Sequence, residues 1–301
     1  MGYALPHMHK DIPGAPRRRY AIWLAAGFFL LASAPAFGHA PPPDQIVVLT
    51  VQIAKYPTNA LLYLERSDLH RIHSDWKAAL TDCRRALRLD SGLAEVDLYR
   101  AKTLRDAGRV KQSKRLLDRF LAKKPRHAEG LVTRARVLVK LHRHMDASRD
   151  FTTAISELAD PLPEHYMERS QALVAAGGEH VDVALRGLDE GLRRLGQPVS
   201  LQLYAIELEL LSERYDAALS RLTHIAAQSP NKAVWLAQRG DILTQAGRVC
   251  SARIAFHDAL VFLEELPPPR RVAPAMTKLR VRIHTALNSL EVQTPCGEHS
   301  P

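Results

Sequence analysis

Glycine and aromatic residues are scarce: there are 15 glycines in 301 residues, and Phe, Trp and Tyr together make up 6%. Such a composition suits long helices better than sheets, and no run alternates apolar and polar residues well enough to read as a strand. The chain has no glycine-rich phosphate loop, no nucleophile elbow and no HExxH zinc motif. The usual sequence routes to nucleotide, acyl-transfer and zinc-hydrolase chemistry are therefore missing. Fourteen histidines are present, but HRIH (70–73) and HRH (142–144) fall at inter-helix turns, and no cysteine or carboxylate cluster completes a metal site at usable spacing. The formal charge is +10, yet the basic region lacks the interleaved aromatics of a nucleic-acid reader. The expectation is a protein that is not an enzyme and carries no cofactor.

What the chain does have is a period. A small residue preceded by arginine recurs at Arg66-Ser67, Arg100-Ala101, Arg134-Ala135, Arg169-Ser170 and Arg239-Gly240, at spacings of 34, 34, 35 and 70. Twelve residues after the small position comes a second small residue: Ala79, Ser113, Ala147 and Ala252. Seven further on stand Ala86, Phe120, Ala154 and Ala259, with Cys83, Leu117, Phe151 and Phe256 between. Small, large, small at helical spacing lets one helix lie close against another.

The stretches DWKAALTDCRRALRLD (75–90), RYDAALSRLTHIAAQSP (214–230) and LAQRGDILTQAGRVCSARIAFHDAL (236–260) resemble tetratricopeptide repeats, as do the turn glycines Gly108, Gly177 and Gly247 and the repeat-end prolines Pro125 and Pro230. The resemblance covers residues 57–264. It implies an all-α, right-handed α-solenoid of about six helix-turn-helix repeats, in which no single unit buries its apolar face alone. Two repeats depart from the pattern: the fourth has extra residues around GGEHVD (177–182), and the fifth reads YAIELELLSERYDAAL without the arginine pair. Residues 265–291 read as a proline break followed by a C-terminal capping helix, with Leu279, Ile283 and Leu287 or Leu290 as its buried stripe. A flexible tail, 292–301, follows.

At the other end, Arg17-Arg18-Arg19 precedes the one long apolar run, YAIWLAAGFFLLASAPAF (20–37). This reads as an export signal over residues 1–36, cleaved after Ala36, with residues 37–56 forming a Pro-rich start and an N-terminal capping helix. The alternative is an uncleaved anchor in the inner membrane. Either way the repeats lie outside the cytoplasm, and a periplasm is expected, with no stable membrane span once the signal is cleaved. Cleavage there would leave Phe37-Gly38-His39 at the new N-terminus, where His39 could complete a square-planar nitrogen site for Cu(II) or Ni(II). An oxidising compartment would also permit a Cys250–Cys296 disulfide tying the tail to the last repeat, against the alternative of free thiols.

Charge is unevenly spread: residues 60–150 hold 22 Lys and Arg against 12 Asp and Glu, whereas residues 151–230 hold 6 against 12. So polarised a chain could recruit an acidic partner or associate with copies of itself. In the resembled family the first helix of each repeat lines a concave groove, which here implies a cationic patch of Arg71, Lys102, Arg105 and Arg136. Arginine forks grip carboxylates, so an acidic peptide or protein is the implied ligand. The lysine and asparagine set with which some members clamp a peptide carboxylate is absent, since Leu64 and Asp68 occupy its places in the first repeat. The repeated arginines have a structural reading: Asp82 follows Arg66 at the same spacing as Asp150 follows Arg134, where a bridge would orient the two helices of one repeat. These features together imply a noncatalytic adaptor or scaffold; the alternative is a periplasmic small-ligand or metal-binding accessory protein.

Overall fold

The computed structural model describes residues 43–229 and 232–291, and every regular element among them is helical. Helix α1 (Pro43–Lys55) precedes four pairs of helices: α2 (Ala60–Ile72) with α3 (Trp76–Leu89), α4 (Glu95–Asp106) with α5 (Val110–Lys123), α6 (Ala128–Lys140) with α7 (His144–Glu157), and α8 (Pro163–Ala176) with α9 (Val181–Leu195). Two more pairs follow, α10 (Val199–Leu211) with α11 (Tyr215–Gln228) and α12 (Lys232–Gln245) with α13 (Val249–Glu264). The short α14 (Pro268–Arg271) and the longer α15 (Pro274–Glu291) complete the described chain. It divides into two compact units at Gly187 and Leu188, inside α9. The division falls in the repeat whose sequence spacing is irregular.

Within each unit the packing follows the small-large-small positions. Ala79, Ser113, Ala147 and Ala252, with Cys83, Leu117, Phe151 and Phe256 one turn on, are all at most 1% exposed. The helices approach so closely at the small positions that a serine hydroxyl reaches across to the facing backbone. Ser67 Oγ donates to the Ala79 carbonyl at 2.9 Å, and Ser113 Oγ to the Ala101 carbonyl at 2.7 Å. In the last pair Gly240 takes the small position, and a Cβ there would fall 2.6 Å from the Phe256 ring. A larger residue at any of these sites would force the pair apart and expose the apolar stripe it buries.

The turn is built the same way in five of the six pairs, the exception being α8 with α9, where Gly178–His180 forms a single 3-10 turn. Ser74, Gly108, His142, Glu213 and Gly247 all adopt positive φ, and the next residue donates its N–H back across the helix end. These bonds are Asp75 to His70, Arg109 to Leu104, Arg143 to Leu138, Arg214 to Glu209 and Arg248 to Leu243, between 2.7 and 2.9 Å. This is the helix-ending motif that satisfies orphan carbonyls with one left-handed residue. At Gly108, where φ is 76° and a Cβ would meet nothing within 4 Å, only the backbone penalty acts. Gly108→Ala should cost about 1 kcal/mol in chemical denaturation; an unchanged midpoint would show that the turn relaxes out of the left-handed region.

The ends are closed by single helices. In the second unit α15 buries Leu279, Ile283, Leu287 and Leu290 in the cluster that holds Phe256 and Leu263. In the first unit α1 contributes Ile53 to the cluster of Tyr63 and Leu64. Among the described residues no helix is long and apolar enough to cross a membrane. The expected signal over 1–36, His39, the tail 292–301 and Cys296 lie outside the described residues. Cys250 is disulfide-bonded, whereas Cys83 is a free, buried thiol. Burial pushes the Cys83 thiol up to about 11, against a contact with the Ser67 hydroxyl, so it behaves as a packing residue and not as a nucleophile.

Candidate interaction face

Two of the repeated arginines, Arg66 and Arg134, sit at the junction of three helices. Arg66 Nε and Nη2 donate to the Asp82 carboxylate at 2.8 and 2.7 Å, while Nη1 donates to Thr50 Oγ1 on α1 at 3.0 Å. Arg134 repeats the arrangement: Nε and Nη2 donate to Asp150 at 2.7 and 2.8 Å, and Nη1 reaches Asp118 on α5 at 3.4 Å. Each guanidinium thus grips one group on the helix ahead and one on the helix behind, at equal separations along the chain. Asp82 and Asp150 are buried, so the fork supplies the hydrogen bonds that burial would otherwise remove. A thermodynamic cycle of Arg134→Gln, Asp150→Asn and the double variant should give a coupling of about 1–3 kcal/mol. Purely additive losses in thermal melts would show that the two side chains do not stabilise one another.

The four cations expected to line a groove do come together along the first helices, but each meets a carboxylate. Arg71 donates to Asp68 at 2.8 and 3.1 Å and to Asp106 on α4 at 2.7 Å. Lys102 Nζ lies 3.0 Å from Asp68 and 2.8 Å from Glu129 on α6, and 5.0 Å from the centre of the Tyr99 ring. Arg105 donates to Asp106 at 2.7 Å, and Arg136 reaches Glu168 on α8 at 3.0 Å. The expected cationic patch is therefore a ladder of alternating charge from α2 to α8. Each of its acids binds a cation on a neighbouring first helix, a pairing that a count along the sequence does not reveal.

Burial would raise the Asp68 and Asp106 carboxyls, but Arg71 and Lys102 beside the first, and Arg105 and Arg71 beside the second, outweigh it and hold both below the ordinary aspartate range. For acids depressed by folding, the stabilisation is complete above the unfolded-state value of 3.8 and drains away as pH falls through the lower folded-state values. The ladder is thus intact at neutral pH and weakens only in acid.

No protein-family model matches the chain, and no curated protein matches it. Solved structures do. The C-terminal part of a TPR repeat-containing protein from Cytophaga hutchinsonii superposes with a TM-score of 0.58 at 11% identity, over 76% of this chain and 94% of that one. The Pseudomonas aeruginosa pilF protein superposes with a TM-score of 0.50 at 16% identity, over 74% of this chain and 97% of that one. This chain has the tetratricopeptide-repeat fold. At such identities the likeness concerns the fold and carries no partner with it.

Two ion pairs of these tetratricopeptide repeats were not read from the sequence, because acid and arginine have exchanged helices. In the second repeat Asp97 on α4 bonds Arg119 on α5. In the fifth, Glu209 on α10 accepts from Arg221 Nε on α11 at 2.7 Å, and Arg221 also pairs with Asp189 at 2.8 Å. Glu209 is 3% exposed and its second oxygen, Oε2, has no hydrogen-bond partner among the described residues. Burial raises its carboxyl, and Arg221 only partly offsets that. The signal was the missing arginine of YAIELELLSERYDAAL: the repeat keeps its cross-helix pair with the charges reversed. In the fourth repeat Arg169 instead donates to the Gly187 carbonyl at 2.9 Å. A Cβ on Gly187 would stand 2.6 Å from the guanidinium, so the glycine makes the space.

Proposed function

We propose that this chain is a noncatalytic adaptor, exported to the periplasm or envelope, which binds a protein or peptide along the first-helix face of its first unit. The observation that carries the reading is the charge ladder, in which each of α2, α4 and α6 is bridged to the next first helix by an ion pair. Its α6 and α8 members keep exposed edges, with Glu129 at 55%, Arg136 at 39% and Glu168 at 30% side-chain exposure. Prearranged charges of both signs spare a ligand the cost of ordering them and discriminate by complementarity. Because every cation already has a carboxylate, a segment of mixed charge fits the face better than a purely acidic one. Export rests on the arginine cluster and apolar run of residues 17–37.

The test is crosslinking in the cell envelope of the tagged chain bearing its own N-terminal segment, beside the Arg105→Glu, Arg136→Glu variant, whose folding is checked by circular dichroism. A polypeptide captured by the parent and lost in the variant supports the adaptor and places its ligand on this face. Capture of nothing by either protein overturns it. Protection of the chain from protease in intact spheroplasts would overturn the export half alone.

A further inference from the structure

The basic excess of the early repeats does not reside on the first helices. α2 carries two cations and two acids, and α4 three of each, whereas α3 carries four cations against one acid and α5 five against one. The single acids do not neutralise the outer surface: Asp82 is buried on Arg66, and Asp118 is taken by Lys114 and Arg134. On α3, Lys77, Arg84, Arg85 and Arg88 are exposed, on the side of the helix away from buried Ala79, Cys83 and Ala86. On α5, Lys111, Arg115 and Lys123 are likewise exposed. Among the described residues none of these seven side chains bonds a carboxylate; Arg84 donates only to Thr81 Oγ1. Lys111 on α5 holds the place that Lys77 holds on α3, while the other five of the seven stand at different places in the repeat. The basic excess stops at α7, which has one cation against three acids.

We propose that the outer faces of α3 and α5 form a docking surface for a bilayer rich in anionic phospholipid. Each unpaired Lys or Arg gains free energy near a negative membrane surface, and the gains accumulate over a cluster of this size. Chain length points the same way. Only residues 38–42 separate the apolar run from α1, and they span at most about 20 Å. Where that run is held in a bilayer, α1 stays close to the headgroup layer and the basic repeats follow directly in the chain. This surface is distinct from the charge ladder of the adaptor reading, so one polypeptide could be held at a membrane and still present its first-helix face.

The experiment is flotation of the full chain with vesicles of phosphatidylcholine alone and of phosphatidylcholine mixed with phosphatidylglycerol; the neutral vesicles account for whatever the apolar run contributes. Partitioning onto the anionic vesicles should be at least about ten-fold stronger and should fall to the neutral level at high salt. Lys77→Glu, Arg84→Glu, Arg85→Glu and Arg88→Glu together should abolish the difference. A milder Lys111→Gln, Arg115→Gln, Lys123→Gln variant should reduce it while retaining the parent's circular dichroism. Equal binding to both vesicle types overturns the proposal, as does a folded α5 variant that binds anionic vesicles as the parent does. If soluble polyglutamate binds the parent and anionic vesicles do not, the surface belongs to an acidic polypeptide and the bilayer proposal falls.

Discussion

Truncating Phe151 to alanine should lower the stability of the first unit by about 3–5 kcal/mol. The ring is fully buried on α7, in one cluster with Phe120, Leu138 and Ala154, and that cluster also holds Ala135 of the partner helix α6, itself fully buried. A side chain as short as Ala135 does not reach into the void that is left. Phe151→Leu keeps most of the volume and should cost less than about 1.5 kcal/mol. Urea titrations followed by far-ultraviolet circular dichroism measure both. A Phe151→Ala midpoint close to that of Phe151→Leu would mean that neighbouring repeats shift to refill the site.

Replacing Arg221 by methionine should cost the second unit a similar amount, about 3–5 kcal/mol, because it strands the Glu209 carboxylate in the interior. The deficit should depend on pH. Burial already raises the Glu209 carboxyl with Arg221 present, and losing the cation raises it further. An acid whose folded-state value exceeds its unfolded one favours the fold below the unfolded value, and that support is lost as pH rises through the folded value. The gap between Arg221→Met and the parent should therefore shrink toward acid pH and reach its full size near neutrality. Adding Glu209→Leu to Arg221→Met removes the stranded charge and should recover most of the loss. A deficit of the same size at every pH would rule out the stranded carboxylate as its cause.

The fold was legible because its determinants repeat. Ala79, Cys83 and Ala86, and their counterparts one repeat further along, announce a helix crossing from sequence spacing alone, and the Arg66–Asp82 and Arg134–Asp150 bridges follow from the same register. The candidate face was legible only in position. Arg71, Lys102, Arg105 and Arg136 do share one surface, but its charge depends on Asp68, Asp106, Glu129 and Glu168, which neighbouring first helices bring close. Counting Lys and Arg over residues 60–150 merged two surfaces of different character, a balanced one on α2 and α4 and a basic one on α3 and α5. Alternate helices of a repeat array face different surroundings, so charge has to be tallied helix by helix before it says anything about a partner.

The arginines that reach both ways along the chain make the order of the repeats matter. Arg134 bonds Asp150 on the helix ahead and Asp118 on the helix behind. Arg84 holds on α3 the place that Asp118 holds on α5. If one full repeat were lost between α3 and α6 by recombination, Arg84 would therefore take over from Asp118 and confront Arg134 with a like charge. Internal duplication and deletion are the cheapest genetic changes open to a repeat gene. Here such a deletion would set two like charges against one another at its own junction, a small cost that the parent order of repeats avoids.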